Sequence, residues 1–288
     1  MPVPRTLAEL ELETSLCEAV AAARARYPER DPHRVFPLEQ LGDWYCARGA
    51  LLKAKPLLRE AATIRMQAWG RIHPELPAVL NLLAKIAVAE GKFEQAEKYL
   101  KHAVRCLNAA KPPRPVDLAE MWNHRAEIRF RNGDVRRAKS FCRKAQAALN
   151  HDLDRYPLLS LRLRNNLGAI YLSLGHPERA LRCFKRNFKL VRRLYPPNSP
   201  ALVTHYNNLA EALRRQGNLR RADAYLRRAL RIARDAWGWN HTVTAATAHH
   251  WAALRSTAGR WSSAAKLYER TYRIRRNFHP CHHPDVVK

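Results

Sequence analysis

A fixed period of 42 residues runs through the chain and constrains its fold more strongly than any local propensity. Glycines recur at this spacing at Gly49, Gly91, Gly133, Gly175, Gly217 and Gly259. Five residues after each glycine stands an alanine, at Ala54, Ala96, Ala138, Ala180, Ala222 and Ala264. Self-similarity of this kind is typical of stacked modules, so the 288 residues are counted in repeats rather than in globular domains.

Each repeat has the pattern of two amphipathic helices joined by a turn. In the fifth repeat, apolar residues at Tyr206, Leu209 and Leu213 form one stripe, and Ala222, Leu226 and Ala229 form another. First helices are expected near 34–48, 76–90, 117–132, 158–174, 200–216 and 242–258. Second helices are expected near 51–69, 93–110, 135–150, 177–194, 219–236 and 261–277. One pair cannot bury both stripes, so the pairs must stack.

The ends of the chain fit the same period. Residues 6–26 read as a helix that aligns with a second helix, so residues 1–33 are expected to form a capping half-repeat. Six full units are expected at 34–75, 76–116, 117–157, 158–199, 200–241 and 242–278. Residues 279–288 match the start of a seventh unit or form a tail.

These features together resemble the tetratricopeptide repeat family, in the 42-residue form found in kinesin light chains. The resemblance rests on the conserved-type residues of the fifth unit, on the Tyr-Asn-Asn-Leu-Ala segment 206–210, and on the Trp-Gly joints at 69–70 and 237–238. It implies an all-α fold, a right-handed α-α superhelix of six helix pairs plus the N-terminal half-repeat helix. It also implies that the first helices line a concave groove that binds other proteins.

Asparagines recur ten residues before four of the glycines, which places them on the first helices. In the family that the chain resembles, asparagines at this position hydrogen-bond the backbone of an extended peptide, because an amide both donates and accepts. Arginines near these positions favour an acidic segment as the ligand. The alternative is that the asparagines bridge neighbouring helices or face water. The expected peptide-binding residues are Asn81, Asn123, Arg162, Asn165, Asn166, Asn207, Asn208, Arg214 and Arg215.

The chain is strongly basic, with a formal net charge of +27, and much of that charge lies on the second helices. Positive side chains at three- and four-residue spacing share one helix face and can bind phosphates. Lysine or arginine at several of these positions is ordinary in this repeat form, so a solvated face is the competing interpretation. The residues expected to contact nucleic acid under this alternative function are Lys185, Arg186, Arg220, Arg221, Arg227 and Arg228, named here the basic stripe.

Three arginines depart from the apolar repeat pattern, at Arg125, Arg129 and Arg164. A buried unpaired arginine is very costly, so each must reach water, shift its helix locally, or pair with an acid such as Glu127.

The sequence also argues against several classes of function. It contains no phosphate-binding Gly-Lys-Ser/Thr loop, no nucleophile elbow and no paired-cysteine motif, so an enzyme and a cofactor are not expected. The tail residues His279, Cys281, His282 and His283 form a single cluster with no distant set of partner ligands, and His283-Pro284 repeats His73-Pro74, so no metal site is expected either. No apolar run approaches the roughly 18 residues of a membrane span, so no membrane partner is expected. Residues 1–15 lack an apolar segment after a basic start, so a secretory signal is not expected and the cytoplasm is the expected location. An uncovered C-terminal helix face would favour homo-oligomers.

Overall fold

The computed structural model describes residues 7–150 and 155–278, and the described residues form α-helices, two short 3-10 turns and loops. The tail at 279–288, and with it the histidine and cysteine residues considered above, lies outside the described residues. The helices are α1 (Leu7–Arg26), α2 (Val35–Ala47), α3 (Leu51–Trp69), α4 (Leu76–Ala89), α5 (Phe93–Ala109), α6 (Pro115–Arg131), α7 (Val135–Ala148), α8 (Pro157–Ser173), α9 (Pro177–Leu194), α10 (Val203–Arg215), α11 (Leu219–Trp237), α12 (Thr242–Thr257) and α13 (Trp261–Phe278).

The helices pack as successive pairs within two compact units, residues 1–152 (unit 1) and 153–288 (unit 2). Unit 1 holds α1 and the pairs α2–α3, α4–α5 and α6–α7, whereas unit 2 holds α8–α9, α10–α11 and α12–α13. Within a unit, each second helix also contacts the first helix of the next pair. The all-α helical-repeat fold predicted from the period is therefore confirmed.

The recurring glycine ends the turn between the two helices of a pair. Gly217 has a φ of +78°, a left-handed conformation that side-chain-bearing residues rarely adopt. Its N–H donates to the carbonyl of Arg214, which closes the last turn of α10. The alanine that follows lies at the contact between the helices, where Ala222 is fully buried. Of the two residues that recur in every repeat, the glycine therefore forms the turn and the alanine allows the two helices to pack closely.

Clusters of buried apolar side chains form the interior of each unit. In unit 1, fully buried side chains such as Leu38, Leu58, Leu80 and Leu100 form one continuous cluster across three pairs. In unit 2, Leu209 and Leu226 lie at the centre of one cluster, and Leu202 belongs to a second. Buried apolar surface of this kind supplies the main stabilisation of a helical stack.

The structure corrects the partner expected for the arginines of the third pair. Arg125 is 9% exposed and bonds to Glu97 of α5, with Nε 3.0 Å from Oε1. Arg129 contacts the same oxygen at 3.4 Å. Glu127 instead pairs with Arg131 at 2.9 Å. Pairing with an acid, one of the three alternatives, therefore holds for Arg125 and Arg129, but the acid is Glu97 of the preceding pair and not Glu127.

Candidate functional site

Successive first helices contact one another in unit 1, α2 with α4 and α4 with α6. In unit 2, α10 contacts α12, and Asn208 of α10 reaches Asn165 of α8. This arrangement makes a first-helix face in each unit, on which the predicted asparagines lie. Asn81 lies on α4 and Asn123 on α6, whereas Asn165 and Asn166 lie on α8 and Asn207 and Asn208 on α10.

Two of these asparagines are buried. Asn123 is 2% exposed and Asn207 is 6% exposed. The amide nitrogen of Asn207 donates to the Thr247 hydroxyl at 2.9 Å, which links α10 to α12. Contact between these two residues and a peptide stays a prediction, but their burial favours the helix-bridging alternative.

The other asparagines keep part of their surface exposed while also linking helices. Asn81 Oδ1 lies 2.8 Å from His124 Nδ1 across the α4–α6 contact. Asn165 accepts from Asn187 Nδ2 at 2.9 Å, and Asn208 Nδ2 lies 3.4 Å from the same oxygen. Asn166 is also half-buried. These amides are held in place by their neighbours, and their remaining surface faces outward.

A cleft of about 440 Å³ opens on the first-helix face of unit 1, between α2, α4 and α6. Apolar groups form part of its wall, and Phe36 is 66% exposed there. We name it the acidic cleft. Its lining residues are Phe36, Glu39, Gln40, Asp43, Pro77, Ala78, Val79, Asn81, Leu82, Arg114, Asp117, Glu120 and Met121.

The acidic cleft carries four carboxylates and one arginine, on a chain that is otherwise strongly basic. Glu39 is held by Arg65 through two hydrogen bonds of 2.7 and 2.8 Å. Asp117 accepts from Arg114 Nε at 2.6 Å. Asp43 is exposed, and no cation in the described part of the chain forms an ion pair with it. An acidic ligand, as expected from the arginines of the later repeats, does not suit this cleft because like charges repel.

Unit 2 presents positive charge on its first-helix face. Arg162 and Arg215 are exposed. Arg214 bonds to Glu211 through Nε at 2.9 Å and Nη2 at 2.7 Å, and Arg215 Nε reaches the same carboxylate at 2.9 Å. Burial alone would raise the pKa of Glu211, but the two arginine hydrogen bonds outweigh it and lower that pKa. One ionised acid thus fixes two arginines.

A histidine replaces the repeating asparagine in the last pair. Burial lowers the pKa of His249 to about 4, and nearby Arg275 acts in the same direction. Its ring packs edge-on against Tyr268 at 5.2 Å. The neutral ring therefore serves as a packing group at neutral pH.

All six residues of the basic stripe are exposed on α9 and α11. Arg227 pairs with Asp223 at 2.7 Å, and Arg228 donates to the Pro197 carbonyl at 3.2 Å. The structure thus places these residues as the periodicity predicts, and contact with nucleic acid stays a prediction.

Sequence reasoning missed the acidic cleft. The signal was available, since Glu39, Asp43, Asp117 and Glu120 all fall on predicted first helices of the first half. Glu39 and Asp43 share a helix face by four-residue spacing, and Asp117 and Glu120 share one by three-residue spacing. Within the described residues, no group of three His, Cys, Asp or Glu side chains could hold a metal ion, and no helix is long and apolar enough to cross a membrane.

Comparison with known proteins gives a consistent result. A tetratricopeptide repeat model matches residues 34–109, 117–193, 159–235 and 202–277. Kinesin light chain-related 1 of Arabidopsis thaliana is 24% identical over 193 residues, which cover 67% of this chain and 31% of that protein. Kinesin light chain-related 3 of the same plant is also 24% identical, over 68% of this chain and 30% of that protein. This chain thus spans less than a third of the length of either relative.

Solved structures show the same fold at low sequence identity. The crystal structure of BtubC (BKLC) from P. vanneervenii has a TM-score of 0.56 at 20% identity, with 97% of this chain and 95% of that chain covered. The apo form of RapI has a TM-score of 0.64 at 13% identity, with 84% and 97% covered. At these identities the similarity establishes the fold alone.

Proposed function

Because the chain belongs to the tetratricopeptide repeat family, whose fold is a general scaffold for protein interactions, we propose that it is a non-enzymatic scaffold binding extended segments of other proteins on its first-helix faces. The observation that carries this proposal is the acidic cleft of unit 1. It is concave, it combines exposed apolar surface with carboxylates, and Asn81 supplies an amide at its edge. Clefts with an apolar wall and a few placed polar groups are typical ligand sites.

The charge of the acidic cleft selects the chemistry of its ligand. A segment with a bulky apolar residue beside a lysine or arginine would place the apolar group on Phe36 and the cation near Asp43. Aromatic surface and charge-assisted hydrogen bonds are the contacts that contribute most at such interfaces. On unit 2, the exposed Arg162 and Arg215 favour the acidic segment expected from the sequence.

Fluorescence anisotropy with labelled twelve-residue peptides tests the first part. We expect a peptide with a central Arg-Phe pair to bind, and Asp43→Lys to weaken its binding roughly tenfold or more, since charge-assisted hydrogen bonds contribute about 1.5–3 kcal/mol. Phe36→Ala should also weaken it. The matched control is Glu94→Lys, the same charge change at an exposed acid on α5 outside the cleft. Equal losses in Asp43→Lys and Glu94→Lys would contradict a specific site.

The acidic-segment part has its own test. An acidic peptide should lose affinity for Arg162→Glu with Arg215→Glu, and should retain it for Asp43→Lys. Asparagine substitutions are less suitable, because Asn165 and Asn207 also hold helices together. Unchanged binding in the arginine variant would remove unit 2 from the proposal.

A second candidate function is sequence-independent nucleic-acid binding along the basic stripe. It is supported by the exposure of all six residues and by the absence of ion-pair partners for Arg220 within the described chain. A gel shift with single-stranded RNA should weaken steeply between 50 and 200 mM salt, as counterion release requires. Binding that survives Arg220→Glu with Arg227→Glu would exclude this surface.

Self-association through α13, which exposes Trp261 and Tyr272, would make the light-scattering mass depend on concentration.

A further inference from the structure

A second cleft, of about 560 Å³, lies between α8 and α9 of unit 2 and has a different chemistry from the first-helix faces. We name it the α8–α9 cleft. Four of its lining side chains are cationic, and its described lining contains no acid. The lining residues are Pro157, Ser160, Arg164, Arg186, Lys189, Leu190 and Arg193.

A buried hydroxyl without a partner lines this cleft. Ser160 is 0% exposed, and its Oγ makes no hydrogen bond. Other repeats place Leu76 or Leu202 at the same position, both fully buried. Where the last pair has Thr244, the hydroxyl donates to the Gly238 carbonyl at 2.8 Å. A buried polar group left unpaired costs free energy, so Ser160 requires an explanation that its repeat position does not supply.

A second departure from the repeat pattern lies on the same helix face. Arg164 stands one turn after Ser160 and occupies the position of Leu38, Leu80 and Tyr206 in other repeats. It is half-buried and lines the cleft. The two substitutions convert an apolar packing face into a polar wall at one place in the stack.

The opposite wall comes from α9. Arg186, Lys189 and Arg193 follow one another at three- and four-residue spacing, so they share a face. All three are exposed, and no carboxylate of the described residues pairs with them. By contrast, Arg227 on the next second helix has an acid partner at 2.7 Å. Clustered cations without acids repel one another and are relieved by an anion.

We propose that the α8–α9 cleft binds a compact anion that carries at least two phosphoryl groups. Each phosphoryl group brings a charge of about −1.5 to −2, so about two are needed to balance the three cations that α9 contributes. Arginine binds phosphate oxygens bidentately, and the Ser160 hydroxyl would donate to an oxygen at the base. Pro157 begins α8, whose N-cap residue makes no side-chain capping bond, so the first-turn N–H groups add positive potential.

A compact ligand fits this cleft better than a nucleic-acid strand. A strand would follow the exposed residues of α9 and α11 and would have no means of reaching the buried Ser160. Only a group that enters the cleft can use that hydroxyl together with cations from both walls.

Isothermal titration calorimetry of the full chain with sodium tripolyphosphate at 150 mM salt tests the proposal. We expect one site per chain, with binding at least roughly tenfold tighter than for orthophosphate or sulfate. Lys189→Glu with Arg193→Glu should weaken binding roughly ten- to hundredfold, since hydrogen bonds to charged groups are the stronger class. The matched control is Arg220→Glu with Arg221→Glu, the same charge change on α11, with an expected effect below about threefold.

The Ser160→Ala variant distinguishes binding inside the cleft from a general attraction of anions to the nearby positive charge. It removes an unpaired hydroxyl, so it should leave the melting temperature unchanged or raise it. It should still weaken tripolyphosphate binding about threefold or more. Equal losses in both charge-reversal variants, or binding unaffected by Ser160→Ala, would overturn the proposal. The proposal would also be overturned if tripolyphosphate does not bind and the protein binds RNA that tripolyphosphate cannot displace.

Discussion

Replacement of Glu97 by alanine is expected to destabilise unit 1 by about 3 kcal/mol, a large effect for one side chain. Glu97 is the acid that compensates Arg125 and also contacts Arg129. The Arg125 guanidinium lies between two rings, 4.7 Å from Trp122 and 4.3 Å from Phe141, so it cannot turn to water without losing those contacts. Removing the acid leaves a buried charge without its counter-ion.

The magnitude follows from the burial of the pair. Breaking a buried ion pair by removing one partner costs about 3–5 kcal/mol. Both side chains retain 11% of their surface exposed, which places the cost at the lower end of that range. For a unit of this size, about 3 kcal/mol corresponds to a fall in melting temperature of roughly 6–12 °C.

Differential scanning calorimetry measures this fall. The matched control is Glu269→Ala, which removes an acid paired at 2.5 Å with Arg273 but with both side chains largely exposed. That control should cost about 0.5 kcal/mol or less. The double variant Glu97→Leu with Arg125→Leu should recover part of the loss, because other repeats have Leu83 and Leu209 at the position of Arg125. Arg129 still loses its acid in this variant, so the recovery is incomplete. A Glu97→Ala variant that melts like the Glu269→Ala control would show that Glu97 does not stabilise the buried charge of Arg125.

Three further predictions concern unit 2. Gly168→Ala should cost about 1–3 kcal/mol in chemical denaturation, because an added Cβ would collide with the Phe184 ring; wild-type stability would contradict this close approach. Asn187→Ala should cost about 1–3 kcal/mol, because it leaves Asn165 and the Leu161 carbonyl without their donor, and a neutral result would show that water replaces it. The pKa of His249 is about 4, well below that of an unfolded histidine near 6.5, so the unfolded chain binds more protons between these values. Stability should therefore fall as pH drops from 6.5 to 4. His249→Gln should reduce that slope in thermal melts without abolishing it, because burial also lowers the pKa values of His205 and His250; an identical slope in the variant would contradict the prediction.

The helix ends were predictable because their causes are local and periodic. The recurring glycine marks each inter-helix turn, so α11 begins at Leu219, where the period predicts it. Helix α6, the first helix of the third pair, begins at Pro115, two residues earlier than predicted, because proline is well suited to the first helical position. Features that depend on one residue and its near neighbours in sequence can be predicted without a structure.

The contacts between pairs were not predictable in the same way. Glu97 is 28 residues from Arg125 in sequence, and nothing local indicates that the two meet. Likewise, the period places Asn207 on a first helix but cannot show that Thr247 covers it. The charge of the acidic cleft depends on which of its acids already have cationic partners, and that is a property of the packed unit.

Peptide selection on the full chain would show whether the acidic cleft binds basic, apolar segments of other proteins. Random twelve-residue peptides would be selected in parallel against the wild type, Asp43→Lys and the control Glu94→Lys. We expect the wild type and the control to enrich peptides with lysine or arginine beside a bulky apolar residue, and Asp43→Lys to lose this class. Enrichment of the same peptides by all three proteins, or of no basic peptide by the wild type, would contradict a protein-binding role for the acidic cleft.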